Sequence, residues 1–329
     1  IVFLVGVRRV LGTLVLKFRV MYLNGETMAV LGSGKANGGC SLLHAAGLGY
    51  GASIGLDIPI AVRLLDKPSK RGSDDPDGLL PAILDAWVEA GFELPNELEK
   101  DDLHWAVMSK IPPRQGLKSS AATAIAALKA LSEATGMDVD DEMLVAMAAQ
   151  AQISSGISLT GSIDDAWACL KPGWKLIDPQ ADSIAEGVLF EGKGPSNDDW
   201  LVMVVCRGER SHRPQLEDFP PHGAAFQKAL TALQEENELV ALTWNGRAIV
   251  AVMNDVQGRK ITNDAMLNGA RAAGMSGSGN AIIVLAPKVS KPSCDRLRAL
   301  FENNKDIVKV IETSFMTAED EQLDEDATT

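Results

Sequence analysis

Two stretches of this chain gather side chains of reactive types. The first is Gly116-Leu117-Lys118-Ser119-Ser120-Ala121-Ala122: a flexible residue, a cation and two hydroxyls just ahead of an alanine-rich run. Free N–H groups and the positive dipole end of a helix, next to a lysine, suit phosphate oxygens. The second is Thr160-Gly161-Ser162-Ile163-Asp164-Asp165-Ala166, two adjacent carboxylates among small and hydroxylic residues. Residue types alone leave both stretches open. The first also suits an ordinary Ser-capped loop, and the second the start of any helix, where Asp and Thr are favoured. A glycine-rich turn, Gly274-Met275-Ser276-Gly277-Ser278-Gly279-Asn280-Ala281, precedes the strand-like Ile282-Ile283-Val284-Leu285. Arg207, Arg210 and Arg213 gather positive charge in a short segment, either as a solvated loop or as a bidentate site for a substrate carboxylate.

The elements that must hold these groups follow from periodicity. Leu103, Trp105, Val107 and Ile111 alternate with His104, Ala106, Met108 and Lys110, which predicts a strand ended by Pro112 and Pro113. Ser119 or Ser120 is expected to cap a helix through Ala121, Ala124, Ile125, Leu128 and Leu131 that stops near Gly136. Its many alanines invite close packing against it. Further helices are expected over 78–91 and 140–154, and a strand over 200–206. Residues 56–65, which contain Pro59, read as an edge strand.

The chain has 329 residues, 46% of them hydrophobic, enough to bury one large or two ordinary cores. A net charge of −13 argues against a nucleic-acid footprint, which needs clustered Lys and Arg. Cys40, Cys169, Cys206 and Cys294 show neither pairing nor zinc spacing, so they are expected as buried thiols in a reducing cytoplasm. Arg8, Arg9, Lys17 and Arg19 interrupt the apolar start before it reaches the ~20 residues of a membrane span. The expected divisions are an upstream extension over 1–27, not necessarily native, and domains over 28–180 and 181–316. An acidic, disordered tail over 317–329 follows.

Two tempting motifs fail. Gly34-Lys35-Ala36 lacks both the upstream glycine and the following Ser or Thr of a P-loop. Gly51-Ala52-Ser53-Ile54-Gly55 matches G-x-S-x-G, yet a strand and not a helix is expected after it. The glycine spacing over 32–55 still permits close backbone approach to a helix or a ligand.

The first stretch, with Pro113 ahead of it, resembles the phosphate motif P-x-x-x-G-L-G-S-S-A-A of the GHMP small-molecule kinases. Lys118 stands where most members have Gly. Gly116-Leu117-Lys118-Ser119-Ser120, Thr160-Gly161…Asp164-Asp165-Ala166 and the block from Ala29 resemble the archaeal-type shikimate kinases in particular. The glycine-rich turn resembles the carboxy-terminal motif of the same superfamily, and the three motifs occur in the family's order.

This resemblance implies an α+β, two-domain fold with a βαβ-type amino-terminal domain and a ferredoxin-like carboxy-terminal domain. It implies ATP against Pro113, Arg114, Gln115, Gly116, Leu117, Lys118, Ser119, Ser120, Ala121 and Ala122, with Gly277, Ser278 and Gly279 beside it. Asp164 is then the catalytic base, Lys118 the cation, Ser119 or Ser120 a ligand of Mg²⁺, and Asp165 a second ligand or the group that orients the substrate. The implied substrate is shikimate, with homoserine, mevalonate or a catalytically silent nucleotide-binding role as alternatives. Neither a membrane nor a nucleic acid is implied as partner. One departure stands out: the metal-binding Glu of mevalonate-kinase-like members falls on Ile153, beside Gln152.

Overall fold

The computed structural model describes residues 28–69, 73–158, 160–208 and 213–317. The expected upstream extension, Arg210 and nearly all of the acidic tail lie outside them. The first part of the chain runs β1 (Val30–Leu43), α1 (Ala45–Leu48), β2 (Gly51–Leu65), α2 (Leu79–Glu89), β3 (His104–Ser109), α3 (Ser119–Thr135), α4 (Asp141–Ser154), α5 (Ile163–Leu170), β4 (Trp174–Ile177) and β5 (Val188–Gly192). The second runs β6 (Trp200–Cys206), α6 (Gly223–Gln234), α7 (Glu238–Val252), α8 (Val256–Leu267), β7 (Ala272–Met275), β8 (Ile282–Pro287), α9 (Lys291–Glu302) and β9 (Lys309–Thr313).

Among the described residues the strands form two antiparallel sheets. In the first the order is β1-β2-β4-β5, with β3 also on β2. β2 is long enough to carry β3 along Ile60–Leu65 and β4 along Gly51–Ile54 on one edge. β3 and β4 are therefore joined through α3–α5 yet pair with β2 and not with each other. In the second sheet the order is β7-β8-β6-β9, and the β-α-β-β-α-β sequence of its elements is the ferredoxin-like arrangement. The first sheet reaches Gly192, past the division expected at residue 180, and Phe315 returns to bridge Leu56 of β2.

β2 differs from the expected edge strand. It begins at Gly51 and is paired on both sides. Pro59 is accepted there because it stands opposite Asn37, where the β1–β2 register slips.

β1 lies against α3, and the sequence shows why. A Cβ on Gly34 would stand 2.1 Å from the Ala126 carbonyl oxygen, and one on Gly32 would stand 2.2 Å from that of Ala130. Bare strand backbone thus touches bare helix backbone, which the alanines of α3 permit. Behind this contact, Ile125, Leu128 and Leu131 are fully buried, and Gly136 closes the helix in the left-handed conformation. A continuous core runs from here to α6, α7 and one face of β6 through Val202 and Val204. Met203 and Val205 fill the other face of β6 with Ile282, Val284, Leu297 and Phe301.

Gly34→Ala should lower unfolding stability by about 1–3 kcal/mol, the usual range for forced overpacking. Gly223→Ala, at the start of α6 with open space around it, should be neutral or slightly stabilising. Denaturant midpoints of the two variants measure the difference.

Candidate active site

The loop from β3 to α3 is wound by three left-handed residues at alternate positions: Arg114 (φ 56), Gly116 (φ 78) and Lys118 (φ 63). For a residue with a Cβ this conformation costs roughly 1–2 kcal/mol, so the surroundings must hold Lys118 there. Lys118 is itself the N-cap of α3 and makes no side-chain cap. The expected Ser119 or Ser120 cap is therefore corrected. The helix begins at Ser119, both serine hydroxyls are released from capping, and both serines line the cleft. Among the described residues no protein acceptor takes the Ser119 or Ser120 N–H, which leaves the positive end of α3 open to an anion.

The glycine-rich turn between β7 and β8 is clasped to this loop backbone to backbone. A Cβ on Gly279 would fall 2.0 Å from the Gln115 carbonyl carbon and the Gly116 nitrogen, and one on Gly116 would fall 2.1 Å from the Ser276 carbonyl oxygen. Ala281 donates its N–H to the Gln115 carbonyl (3.0 Å), and the Ser276 hydroxyl donates to the Gly116 carbonyl (2.8 Å). The structure thus brings the first and third motifs together.

The carboxylates arrive from below. Gly161 (φ 83) and Ser162 (φ 55) turn the chain into α5, whose first turn carries Asp164 and Asp165. Lys118 Nζ lies 2.6 Å from Asp165 Oδ1 and donates to the Ser41 hydroxyl at 2.6 Å. The Ser53 hydroxyl is 2.8 Å from Asp164 Oδ2 and 2.8 Å from Asp165 Oδ1. Ser41 and Ser53 face each other across the β1–β2 ladder, so one rung of that hairpin serves both the lysine and the acids. A Cβ on Gly51 would stand 2.5 Å from Asp164 Oδ1, so the carboxylate occupies the space that this glycine leaves.

Burial and the neighbouring Asp165 charge push Asp164 up to about 7, against the opposing pull of Lys118 and Ser53. Asp165 is part-buried and also desolvated, but the Lys118 charge and hydrogen bond, with Ser53, hold it below the usual carboxylate range. A single hydroxyl proton serves only one acceptor. The second short contact at Ser53 is satisfied when Asp164 carries a proton. Lys118, although desolvated, is held above the ordinary lysine value by Asp165 and Asp164.

These elements surround one cleft of about 510 Å³, with Ser41, His44, Asp77, Arg114, Gly116, Leu117, Lys118, Ser119, Ser120, Gln152, Thr160, Asp164, Asp165, Arg213, Gly277 and Ser278 among its walls. Pro113, Gln115, Ala121, Ala122 and Gly279 do not line it. Ala121 and Ala122 are core, and Gln115 braces the loop by accepting the Arg207 N–H and donating to the Gly208 carbonyl. Of the three arginines, Arg207 is spent on Asp255 and the Asn280 carbonyl, where it supports the glycine-rich turn. Arg213 reaches the cleft and donates to the Gly156 and Ile157 carbonyls.

At the position of the absent Glu, Ile153 points to solvent at 55% exposure, while Gln152 is buried and faces the cleft. Among the described residues no three His, Cys, Asp or Glu side chains cluster as a metal cage. The cysteines are free and buried as expected, and no described helix is long and apolar enough to cross a membrane. Ser41, Ser53 and His44 were not expected in the site. Ser53 stood inside the rejected G-x-S-x-G, and only the strand register reveals its partners.

Residues 86–173 match the sequence profile of the GHMP kinases N terminal domain, a span that holds the phosphate loop and both carboxylates. Shikimate kinase from Pyrococcus abyssi is 30% identical over 45% of this chain and 55% of its own length. The chain thus spans about half the length of that relative. Shikimate kinase from Methanothermobacter thermautotrophicus is 27% identical over 80% of this chain and 90% of its own length. The crystal structure of Methanococcus jannaschii mevalonate kinase superposes with a TM-score of 0.60 at 15% identity, covering 90% of this chain and all of that one. Residues 86–173 thus carry a GHMP kinase N-terminal domain, with its motifs clasped around one cleft, and the described chain shares the fold of that mevalonate kinase.

Proposed function

We propose that the chain transfers the γ-phosphoryl group of ATP to a hydroxyl of shikimate, giving shikimate 3-phosphate on the route to chorismate and the aromatic amino acids. The observation that carries this reading is Lys118, which caps the open end of α3 and pairs with the acid cluster in the same cleft. The α3 N–H groups and Lys118 hold the phosphates and stabilise the charge that spreads over the transferring group. Asp164 takes the proton of the attacking hydroxyl, and its value near 7 matches a base working at neutral pH. Arg213, the one of the three arginines described at the cleft wall, is the proposed contact for the acceptor's carboxylate.

Mg²⁺ typically binds through one or two carboxylates plus phosphate oxygens, and the cleft-lining Ser120 hydroxyl and Asp165 carboxylate fit that need. When bound, the ion supplies further neutralisation of phosphate charge. The choice of shikimate is supported by the names of the archaeal relatives and by Lys118 in the loop.

ADP release with Mg-ATP should require shikimate and be absent with homoserine, mevalonate or no acceptor. Asp164→Asn should lower turnover by about 10²–10⁴-fold, the range for loss of a general base, with nucleotide binding retained. Turnover with another alcohol alone would replace the substrate, and none with any acceptor would favour a silent nucleotide-binding protein.

Protonation gives a second test. Asp164 works when ionised, so kcat/KM should fall as pH drops below about 7. The folded chain keeps a proton that the unfolded chain releases near 3.8, so stability is lost as pH rises from there to about 7. Asp164→Asn removes that loss. Its Tm should exceed the parent's by more at about pH 8 than at about pH 5.

A further inference from the structure

His44 sits between β1 and α1 and lines the cleft with Ser41, Lys118 and Asp165. Its backbone N–H is held by Asn245 Oδ1 (2.9 Å), and its ring packs on Phe219 with centroids 5.0 Å apart. Its Nδ1 accepts the Ala46 N–H at 3.2 Å as the cap of α1. A ring nitrogen that accepts a hydrogen bond carries no proton, so the neutral ring bears its proton on Nε2. Burial, with Lys118 beside it, holds the imidazole down to about 4 and keeps it uncharged at neutral pH. Among the described residues Nε2 has no protein partner, and it is not one of the polar atoms sealed from solvent.

The nucleotide phosphates already have Lys118 and the start of α3. A neutral donor beside Asp165 suits a different task. It offers a hydrogen bond without adding a second cation, which would compete with Lys118 for Asp165 and weaken Asp164 as a base. A neutral imidazole kept that way by its surroundings is a known form of fixed hydrogen-bond donor in enzyme sites.

We propose that His44 reads the acceptor: its Nε2–H donates to a hydroxyl or carboxylate oxygen of the alcohol and fixes that molecule beside Asp164. This rests on the kinase reading above.

Two substitutions separate this role from capping. In His44→Asn the amide oxygen replaces Nδ1 as cap, while no donor reaches the Nε2 position. In His44→Gln a donor reaches that position, while the cap is weakened. His44→Asn should lose only the Tm that the ring's packing on Phe219 supplies, keep the KM for ATP and lose about tenfold or more in kcat/KM for shikimate, the scale of one hydrogen bond. His44→Gln should recover most of that activity with a lower Tm.

The reverse order of activity, or a rise confined to the KM for ATP, would overturn the assignment. Calorimetric titration with shikimate separates the two failures. A parent that neither turns over nor binds shikimate overturns both readings, and a parent that turns it over with His44→Asn unaffected overturns the role of His44 alone. A parent that binds shikimate without turnover, with binding weakened in His44→Asn, upholds His44 and refutes the kinase reading.

Discussion

The structure turns on the contact between Lys118 and Asp165. Both side chains are largely removed from water, at 7% and 18% exposure, and their charged atoms are 2.6 Å apart. Burying either charge alone costs several kcal/mol, so each is tolerable only with the other in place. The ion pair also fixes geometry. Lys118 belongs to the start of α3 and Asp165 to the start of α5, and Ser41 and Ser53 complete the coordination from two adjacent strands. Two helix starts and one strand pair are therefore held at a single point, and the left-handed backbone of Lys118 is kept in place by the bond its side chain makes.

From that point the two ends of the site take their different chemistry. The same lysine holds Asp165 ionised and leaves Asp164 to absorb the consequence of a second buried negative charge. Adjacent, chemically identical carboxylates thus acquire different proton affinities, which is the pattern expected where one acid must accept a proton and the other must stay charged. The arrangement is costly to the fold, and in the proposed reaction it gives the two acids different tasks.

Much of this was legible in the sequence where the cause was local. The alanines of α3 and the glycines at 32 and 34 announced a close backbone contact, and they meet each other. Gly116 and Gly279 announced tight turns, and each leaves room for the other's loop. The pairing of Ser41 with Ser53, the place of His44 and the commitment of Arg207 to Asp255 were not legible, because each depends on which distant segments meet. Glycines at 32, 34, 38 and 39 blur the alternation of β1, and Pro59 made β2 look like an edge. The N-cap of α3 was misplaced for another reason: serine is the ordinary cap, and only the tertiary hold on its side chain puts Lys118 there.

The most direct test of the account is a double-mutant cycle on unfolding free energy with Lys118→Met, Asp165→Asn and the pair together. If the contact is the tie between the two ends of the site, each single change should destabilise by about 3–5 kcal/mol and the double change by clearly less than their sum. Simple additivity would show that the two groups are held by something other than each other, and would contradict the account.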